Sequence, residues 1–498
     1  MNIATLLDMS AEAFGERIAV VSGGTRLSYA ELKAAALAAA QRIRASGAAY
    51  VALLDVNSAA APVAIFGAAY AGVPYVPLNY RLTRPEINEL IARVAPALLI
   101  TSADYRGLID ARDDLQLVDR QAFLTLPEAG EAIEPPDDPR AIAVQLFTSG
   151  TTGKPKAAIL RHENLMSYIV GTVEFAAADE NDAIVVTVPP YHIAGISAVL
   201  SSTYACRRMV QLEGFDAAAW LAACREHQVS NAFLVPTMLQ RIVDHLDAHH
   251  AGDAGLPALR SLAYGGGKMP LATIQRAMAL LPHVDFTNAY GLTETSSTIA
   301  VLGPDDHRAA AASDDPQVRR RLASVGKPGA VEIEIRDEAG NVLGAEDAGL
   351  VFVRGPQVSG EYLALGSQLD EGGWFPTKDR GYLDADGYLF LDGRADDVIV
   401  RGGENISPGE IEDVLLGHDA VADVAVVAMP DDQWGEAVAA AVVLKDGAVA
   451  SVGELQELVK SRLRSSRVPQ RIVFKDQLPY NELGKVLRRL IRQEFIDA

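Results

Sequence analysis

The stretch TSGTTGKPK, Thr148 to Lys156, separates two apolar runs, AIAVQLF (141–147) and AAIL (157–160). Each run has the length and composition of a buried strand. Glycine lets the backbone approach a ligand closely and adopt positive φ. Hydroxyls and free backbone N–H groups bond phosphate oxygens, and lysine adds a mobile positive charge. Thr148, Ser149, Gly150, Thr151, Thr152, Gly153 and Lys154 therefore form a candidate polyphosphate loop. It is not a Walker loop. Only Thr151 and Thr152 separate Gly150 from Gly153, and Pro155 stands where a magnesium-binding Ser or Thr would follow the lysine. A Walker loop also runs from strand into helix, whereas this one lies between two strands. A polar turn that binds nothing would need fewer hydroxyls and lysines than this stretch carries.

Outward from the loop, short apolar strands alternate with helical patterns. YVALLDV (50–56), ALLITS (97–102), AIVVTVP (183–189) and NAFLVP (231–236) read as strands; YAELKAAALAAAQRIRAS and DAAAWLAACREH read as helices. The alternation predicts a large α/β N-terminal domain of layered sheets and helices. From about Gly326 the runs VEIEIRD, GLVFVRG and GYLFLDGR predict short antiparallel strands, a small β-barrel-like subdomain. After Gly393 the order changes again. GEIEDVLLGH is helical, VADVAVVAMP and EAVAAAVVLK are strands, ELQELVKSRLRS a helix, RIVFKDQLP a strand and KVLRRLIRQEF a last helix. That order predicts a small α+β C-terminal domain. The acid- and alanine-rich segment 305–315 reads as an exposed loop.

The bulk properties exclude several classes. The 498 residues exceed one compact domain. A net charge of −21 argues against a nucleic-acid binder, which needs a basic footprint. Cys206 and Cys224 belong to no CxxC pair, which argues against a disulfide framework or a zinc site. MNIATLLDMSAEAFGERIAV lacks a basic leader and reads as an amphipathic helix, not a signal peptide. The uncharged run AAAPVAIFGAAYAGVPYVPL (59–78) has the length of a membrane span. Its prolines and glycines fit a buried helix and then a buried strand. No membrane span and a cytoplasmic location are the expectation.

Further stretches carry chemistry of the same kind. YGGGKMP (264–270) sets Gly265, Gly266 and Gly267 after a strand, so that a flat ligand can lie on bare backbone. NAYGLTET (288–295) offers Asn288, the Tyr290 ring, Gly291, the Thr293 hydroxyl and the Glu294 carboxylate. One carboxylate with substrate phosphates is the usual way to hold Mg²⁺. PPYHIAG (189–195) carries His192. TKDRGYLDADGYLFLDGRADD (377–397) carries Asp379 and Arg394, RGGENISPGEIE (401–412) carries Gly402 and Gly403, and LPYNELGKVLRR (478–489) carries Lys485.

In this order, and over nearly the whole chain, these motifs resemble the adenylate-forming superfamily of acyl- and aryl-CoA synthetases, luciferases and peptide-synthetase adenylation domains. Within it the chain looks most like an acyl-CoA synthetase. The resemblance implies ATP, Mg²⁺ and coenzyme A as reactants with a small carboxylic acid. The carboxylate attacks the α-phosphate, giving acyl-AMP and pyrophosphate, and a thiol then attacks acyl-AMP. It implies that the phosphate loop wraps the β- and γ-phosphates. Gly265–Gly267 and Tyr290 would enclose the adenine, with Asn288 on its edge. Thr293 would touch the α-phosphate, Glu294 would hold the metal, and Asp379 with Arg394 would take the ribose. Lys485 would reach the α-phosphate and carboxylate oxygens, and His192 would line the acid pocket. The resemblance also implies domains at 1–393 and 398–498 joined by a hinge at 394–397, centred on Asp396. Rotation there would remove Lys485 and bring Gly402 and Gly403 to a tunnel for the CoA arm.

Three residues depart from the family pattern. Lys378 replaces the glycine of T-G-D, Lys268 lies close to the expected acyl pocket, and Asn481 replaces a threonine. Three readings of the activity stand beside one another. The first is a carboxylic acid–CoA ligase acting on a fatty or an aryl acid. The second is an acyl-AMP ligase that loads an acyl carrier protein. The third is a non-catalytic acyl-nucleotide binding protein, against which Lys485, Glu294 and Arg394 argue. A homodimer is compatible with each.

Overall fold

The computed structural model describes residues 1–125, 133–148, 155–249, 255–402, 404–431, 433–481 and 486–497. Two large sheets dominate. A nine-stranded sheet runs from Lys327–Pro328 through Ser297–Leu302, Asp285–Leu292, Ser261–Gly265, Asn231–Leu234, Ala183–Val186 and Arg208–Gln211 to Ile18–Ser22 and Thr25–Ser28. From Asp285–Leu292 to Ile18–Ser22 its neighbours are parallel. The eight-stranded sheet has Ile142–Thr148, Tyr75–Pro77, Tyr50–Leu54, Ala97–Thr101 and Leu115–Asp119 in parallel. Lys156–Arg161 pairs antiparallel at its other side.

Parallel strands need both faces covered, and the cores show how. One core gathers Val20, Val186 and Met209 of the first sheet with Leu53 and Val144 of the second. Helices Ala4–Phe14, Tyr29–Ser46, Ala60–Ala71 and Ile193–Tyr204 fill the layer between them. Ala60–Ala71 is apolar on every side and buried almost throughout. It lies so close to Tyr29–Ser46 that a Cβ on Gly67 would sit 2.8 Å from the Ala39 Cβ. This is the run that had the length of a membrane span, resolved as a buried helix followed by the strand Tyr75–Pro77. Among the described residues no helix is long and apolar enough to cross a membrane. The outer faces carry their own cores, under Ala217–Glu226, Pro236–His249 and Leu271–Leu280 on one side and Arg84–Ala92 on the other.

The strands Glu332–Arg336, Gly349–Arg354, Phe375–Leu383 and Leu389–Arg394 form an antiparallel sheet. It follows one open path of four strands, so the expected barrel-like unit is an open sheet. The segment expected as an exposed loop at 305–315 is largely the helix Pro304–Ala312. Proline at its first turn and Asp305 and Asp306 beside the N-terminal dipole favour that start. His307 locks it down, since its Nε2 meets the Tyr264 hydroxyl at 2.8 Å in the core.

The C-terminal part has a separate five-stranded sheet. Helices Pro408–Leu416 and Val452–Arg462 cover one face and Arg488–Asp497 the other. Arg488 is held there by Glu412 through two bonds, one of 2.8 Å, and by the Val426 carbonyl at 2.6 Å. Its Nε also lies 3.7 Å from Asp397. This unit touches the large one where Lys268 Nζ meets Asp413 Oδ2 at 2.7 Å and the Gly409 carbonyl at 3.4 Å.

Candidate active site

The phosphate-loop candidate begins at the end of a hairpin. Ile142–Thr148 and Lys156–Arg161 are antiparallel, with Thr148 opposite Lys156. Thr148 Oγ1 donates to the Lys156 carbonyl at 3.4 Å. Ser149, Gly150, Thr151, Thr152, Gly153 and Lys154 lie outside the described residues, as do Gly403 and Lys485.

The parallel strands Ser261–Gly265 and Asp285–Leu292 bring the next two motifs together. Tyr264 stands opposite Asn288, and Gly265 opposite Ala289. A Cβ on Gly265 would run into the Ala289 carbonyl, which is why this strand ends in glycine. Gly266 has φ +81°, and Gly266 and Gly267 are exposed, leaving bare backbone at the carboxyl end of the sheet. Ligands of open α/β sheets bind at that end. Asn288 is buried, and its Nδ2 donates to the Ser324 carbonyl at 3.2 Å. Gly291 has a packing reason of its own, because a Cβ there would collide with the Ser297 backbone at a bulge in the strand pair.

Asp379 and Arg394 are direct register partners in the small antiparallel sheet. The Asp379 carboxylate, 7% exposed, accepts from Tyr290 Oη at 2.5 Å on one oxygen and from Arg394 Nη1 at 3.0 Å on the other. Burial, and then the Asp379 charge, push the Tyr290 phenol well above its ordinary pKa, so it remains a donor. Each Asp379 oxygen keeps lone-pair capacity for a further donor. The preceding residue, Lys378, is exposed and has φ +64°. Lysine thus occupies a left-handed conformation that glycine adopts without cost.

Thr293–Thr295 is a single 3₁₀ turn at the end of the Asp285–Leu292 strand. Leu292 N donates to Thr295 Oγ1 at 3.0 Å and Thr295 Oγ1 donates to the Ser297 carbonyl at 2.7 Å, so Thr295 holds the turn. Glu294 is 8% exposed. Its Oε1 accepts from Tyr362 Oη at 2.5 Å, and its carbonyl accepts from the Ser359 and Gly360 amides at 2.9 and 3.1 Å. Sequence reading did not single out Tyr362, which sits in GEYLAL with no motif-like neighbours.

His192 occupies the N-cap position of the helix Ile193–Tyr204, and its ring lies against Tyr191 with centroids 4.5 Å apart and planes tilted by 55°. Its Nε2 is buried and has no hydrogen-bond partner among the described residues. Burial, and secondarily Arg81, lower its pKa to about 3, so it is neutral at physiological pH. Gly402 has φ +57°, and a Cβ on it would lie 2.7 Å from the Trp434 ring. Lys268 reaches the C-terminal unit through Asp413. Asp396 is exposed on the short turn Ala395–Asp397.

Structure therefore gathers Asn288, Tyr290, Asp379 and Arg394 on one side of the sheet end, and Thr293 and Glu294 at the turn that follows. Comparison with known proteins places the chain in a family. The AMP-binding enzyme pattern matches residues 7–363, and the AMP-binding enzyme C-terminal domain matches residues 410–485. Indoleacetate–CoA ligase of Aromatoleum aromaticum is 31% identical over 99% of this chain and 98% of its own length. Feruloyl-CoA synthase of an Amycolatopsis species is 32% identical over 96% of each. The o-succinylbenzoate CoA synthetase of Bacillus subtilis, solved with its acyl-adenylate intermediate, superposes with a TM-score of 0.84 at 29% identity, covering 98% of this chain and 97% of that one. A second structure of that enzyme holds ATP and a magnesium ion. With both patterns matched along its length, the chain belongs to the AMP-binding enzyme family.

Proposed function

We propose that the protein is an ATP-dependent carboxylic acid–CoA ligase that works through acyl-AMP and releases AMP and pyrophosphate. The observation that carries this reading is the buried Asp379 carboxylate, anchored by Tyr290 and Arg394, one strand end away from the buried Glu294. Such a carboxylate suits the two hydroxyls of a ribose, because an ionised carboxylate only accepts. Glu294 suits Mg²⁺, which takes one or two carboxylates and completes its shell with phosphates and water. When bound, the ion would neutralise phosphate charge during the displacement.

In the first step a carboxylate oxygen of the acid attacks the α-phosphorus and pyrophosphate leaves. The phosphate loop, 148–154, would hold the leaving group, and Thr293 would donate to the α-phosphate. Lys485 would meet the charge that develops on the reacting oxygens, where a fixed cation lowers the barrier. In the second step a CoA thiolate attacks the acyl carbon and AMP leaves. The domains at 1–393 and 398–498, hinged at 394–397, would exchange Lys485 for the Gly402–Gly403 edge between the steps.

For the acid we favour an aryl or arylalkyl carboxylate. Relatives are named for indoleacetate, ferulate and o-succinylbenzoate, and the neutral His192 ring packed against Tyr191 offers an aromatic wall. The test is mass spectrometry of products from the purified protein with Mg-ATP, a panel of aryl and fatty acids, and CoA present or absent. Acyl-CoA from aryl acids is expected. Acyl-AMP that accumulates despite CoA would transfer the second step to a carrier protein. Absence of pyrophosphate release with every acid would leave a nucleotide-binding protein and sink the ligase reading.

A further inference from the structure

Glu294 is held at both ends by one short segment. Ser359 and Gly360 fix its backbone carbonyl, and Tyr362 Oη donates to its side-chain Oε1 at 2.5 Å. Glu361–Tyr362 is a strand that pairs with Lys156–Arg161, the second arm of the phosphate hairpin. Tyr362 stands opposite Ala158 and Glu361 opposite Ile159. Arg161 fixes that pairing with a bidentate bond to Glu361, at 2.9 and 2.8 Å. The Lys156 ammonium lies over the Tyr362 ring at 5.5 Å.

A glutamate side chain has three torsions, and the last is broad, so an unsupported carboxylate samples many positions. A phenol donor on one oxygen removes that freedom and leaves the other oxygen open. The donor is itself anchored to the strand leaving the phosphate loop. The carboxylate and the hairpin are thereby set in one frame.

We propose that Tyr362 is a positioning residue for metal-assisted nucleotide binding: its hydroxyl presets the Glu294 carboxylate against the phosphate hairpin. This rests on Glu294 as the metal carboxylate. A merely packed tyrosine would support the fold but leave the magnesium requirement unchanged.

The test uses the full chain without acid, so that no turnover occurs. Binding of ATP is followed by calorimetry across a Mg²⁺ titration for the wild type, Tyr362→Phe, Glu294→Gln and the double variant. AMP binding in chelator and thermal melting are measured alongside. For Tyr362→Phe the Mg²⁺ concentration that half-saturates ATP binding should rise by about 10- to 100-fold, the usual cost of removing a partner that orients a metal ligand. AMP affinity, measured well below the melting temperature of each variant, should stay at the wild-type value, and the double variant should match Glu294→Gln, because the hydroxyl acts only through that carboxylate. An unchanged Mg²⁺ requirement in Tyr362→Phe, with a shifted one in Glu294→Gln, overturns the proposal and spares the metal role of Glu294. Equal losses of AMP and Mg-ATP affinity in Tyr362→Phe also overturn it. A Glu294→Gln protein with a normal Mg²⁺ requirement removes the metal assignment itself, and the proposal with it.

Discussion

Asp379→Asn is the most informative single change. The carboxylate has two oxygens, and Tyr290 and Arg394 each engage one. Two acceptor sites therefore remain for the two ribose hydroxyls proposed to bind there, and on that proposal ribose would displace neither partner. Asparagine keeps the shape but has one acceptor oxygen, no charge and an amide donor. Hydrogen bonds to charged groups contribute about 1.5–3 kcal/mol each, and neutral ones about 0.5–1.5 kcal/mol. Losing one ribose bond and weakening the other should cost about 2–4 kcal/mol, or roughly 30- to 1000-fold in affinity. The assay is AMP binding by calorimetry, which needs neither metal nor chemistry, with 2′,3′-dideoxy-AMP as the second ligand. Wild-type protein should discriminate strongly against the dideoxy ligand, and the variant should lose most of that discrimination. A variant that binds AMP within about threefold of wild type would refute the reasoning, since that is well below one charged hydrogen bond. So would equal discrimination by the two proteins.

Three other outcomes are expected. Asp396→Pro should leave pyrophosphate release largely intact and cripple thioester formation, measured as separate half-reactions; equal losses would move the hinge elsewhere. Lys378→Gly should raise the melting temperature, because a left-handed non-glycine residue costs about 1–3 kcal/mol and glycine returns about 0.5–1 kcal/mol of that in entropy; Lys378→Ala should not. His162 is buried, accepts from the Ile3 amide at 3.3 Å, and has its pKa lowered to about 4, by burial first and the N-terminal ammonium second. Below its unfolded value the unfolded chain binds a proton that the folded chain refuses, so this residue costs stability as pH falls from about 6.5 to about 4. His162→Asn should therefore gain stability relative to wild type over that window, in denaturant melts; a constant difference between the two proteins would contradict this.

Much of the layered fold was legible because its elements are locally consistent. Ser28 and Glu31 make a capping box before Tyr29–Ser46, and Gly47 ends it at φ +68°. The pairing of Asp379 with Arg394 was also within reach, since both lie on adjacent strands of one short hairpin. The helix Pro304–Ala312 was misread because acids and alanines lack an apolar stripe, although proline and two acids mark a helix start. Tyr362 was invisible for a different reason. Its partner Glu294 is 68 residues away, and the contact exists only once the Glu361–Tyr362 strand docks on the phosphate hairpin. The Lys268 contact is hidden for the same reason, since its partner Asp413 lies 145 residues along the chain.

Arg488 stands three positions after Lys485 in the chain, and it is bolted to Glu412, to Val426 and beside Asp397. If residues 394–397 are the pivot proposed above, a side chain so fixed beside it would make the C-terminal unit a lever whose short arm is stiff. The position of a group carried on such a lever is set by one angle rather than by many torsions. On that proposal, substitutions around 394–397 would retime the cycle with the chemical groups themselves left as they are.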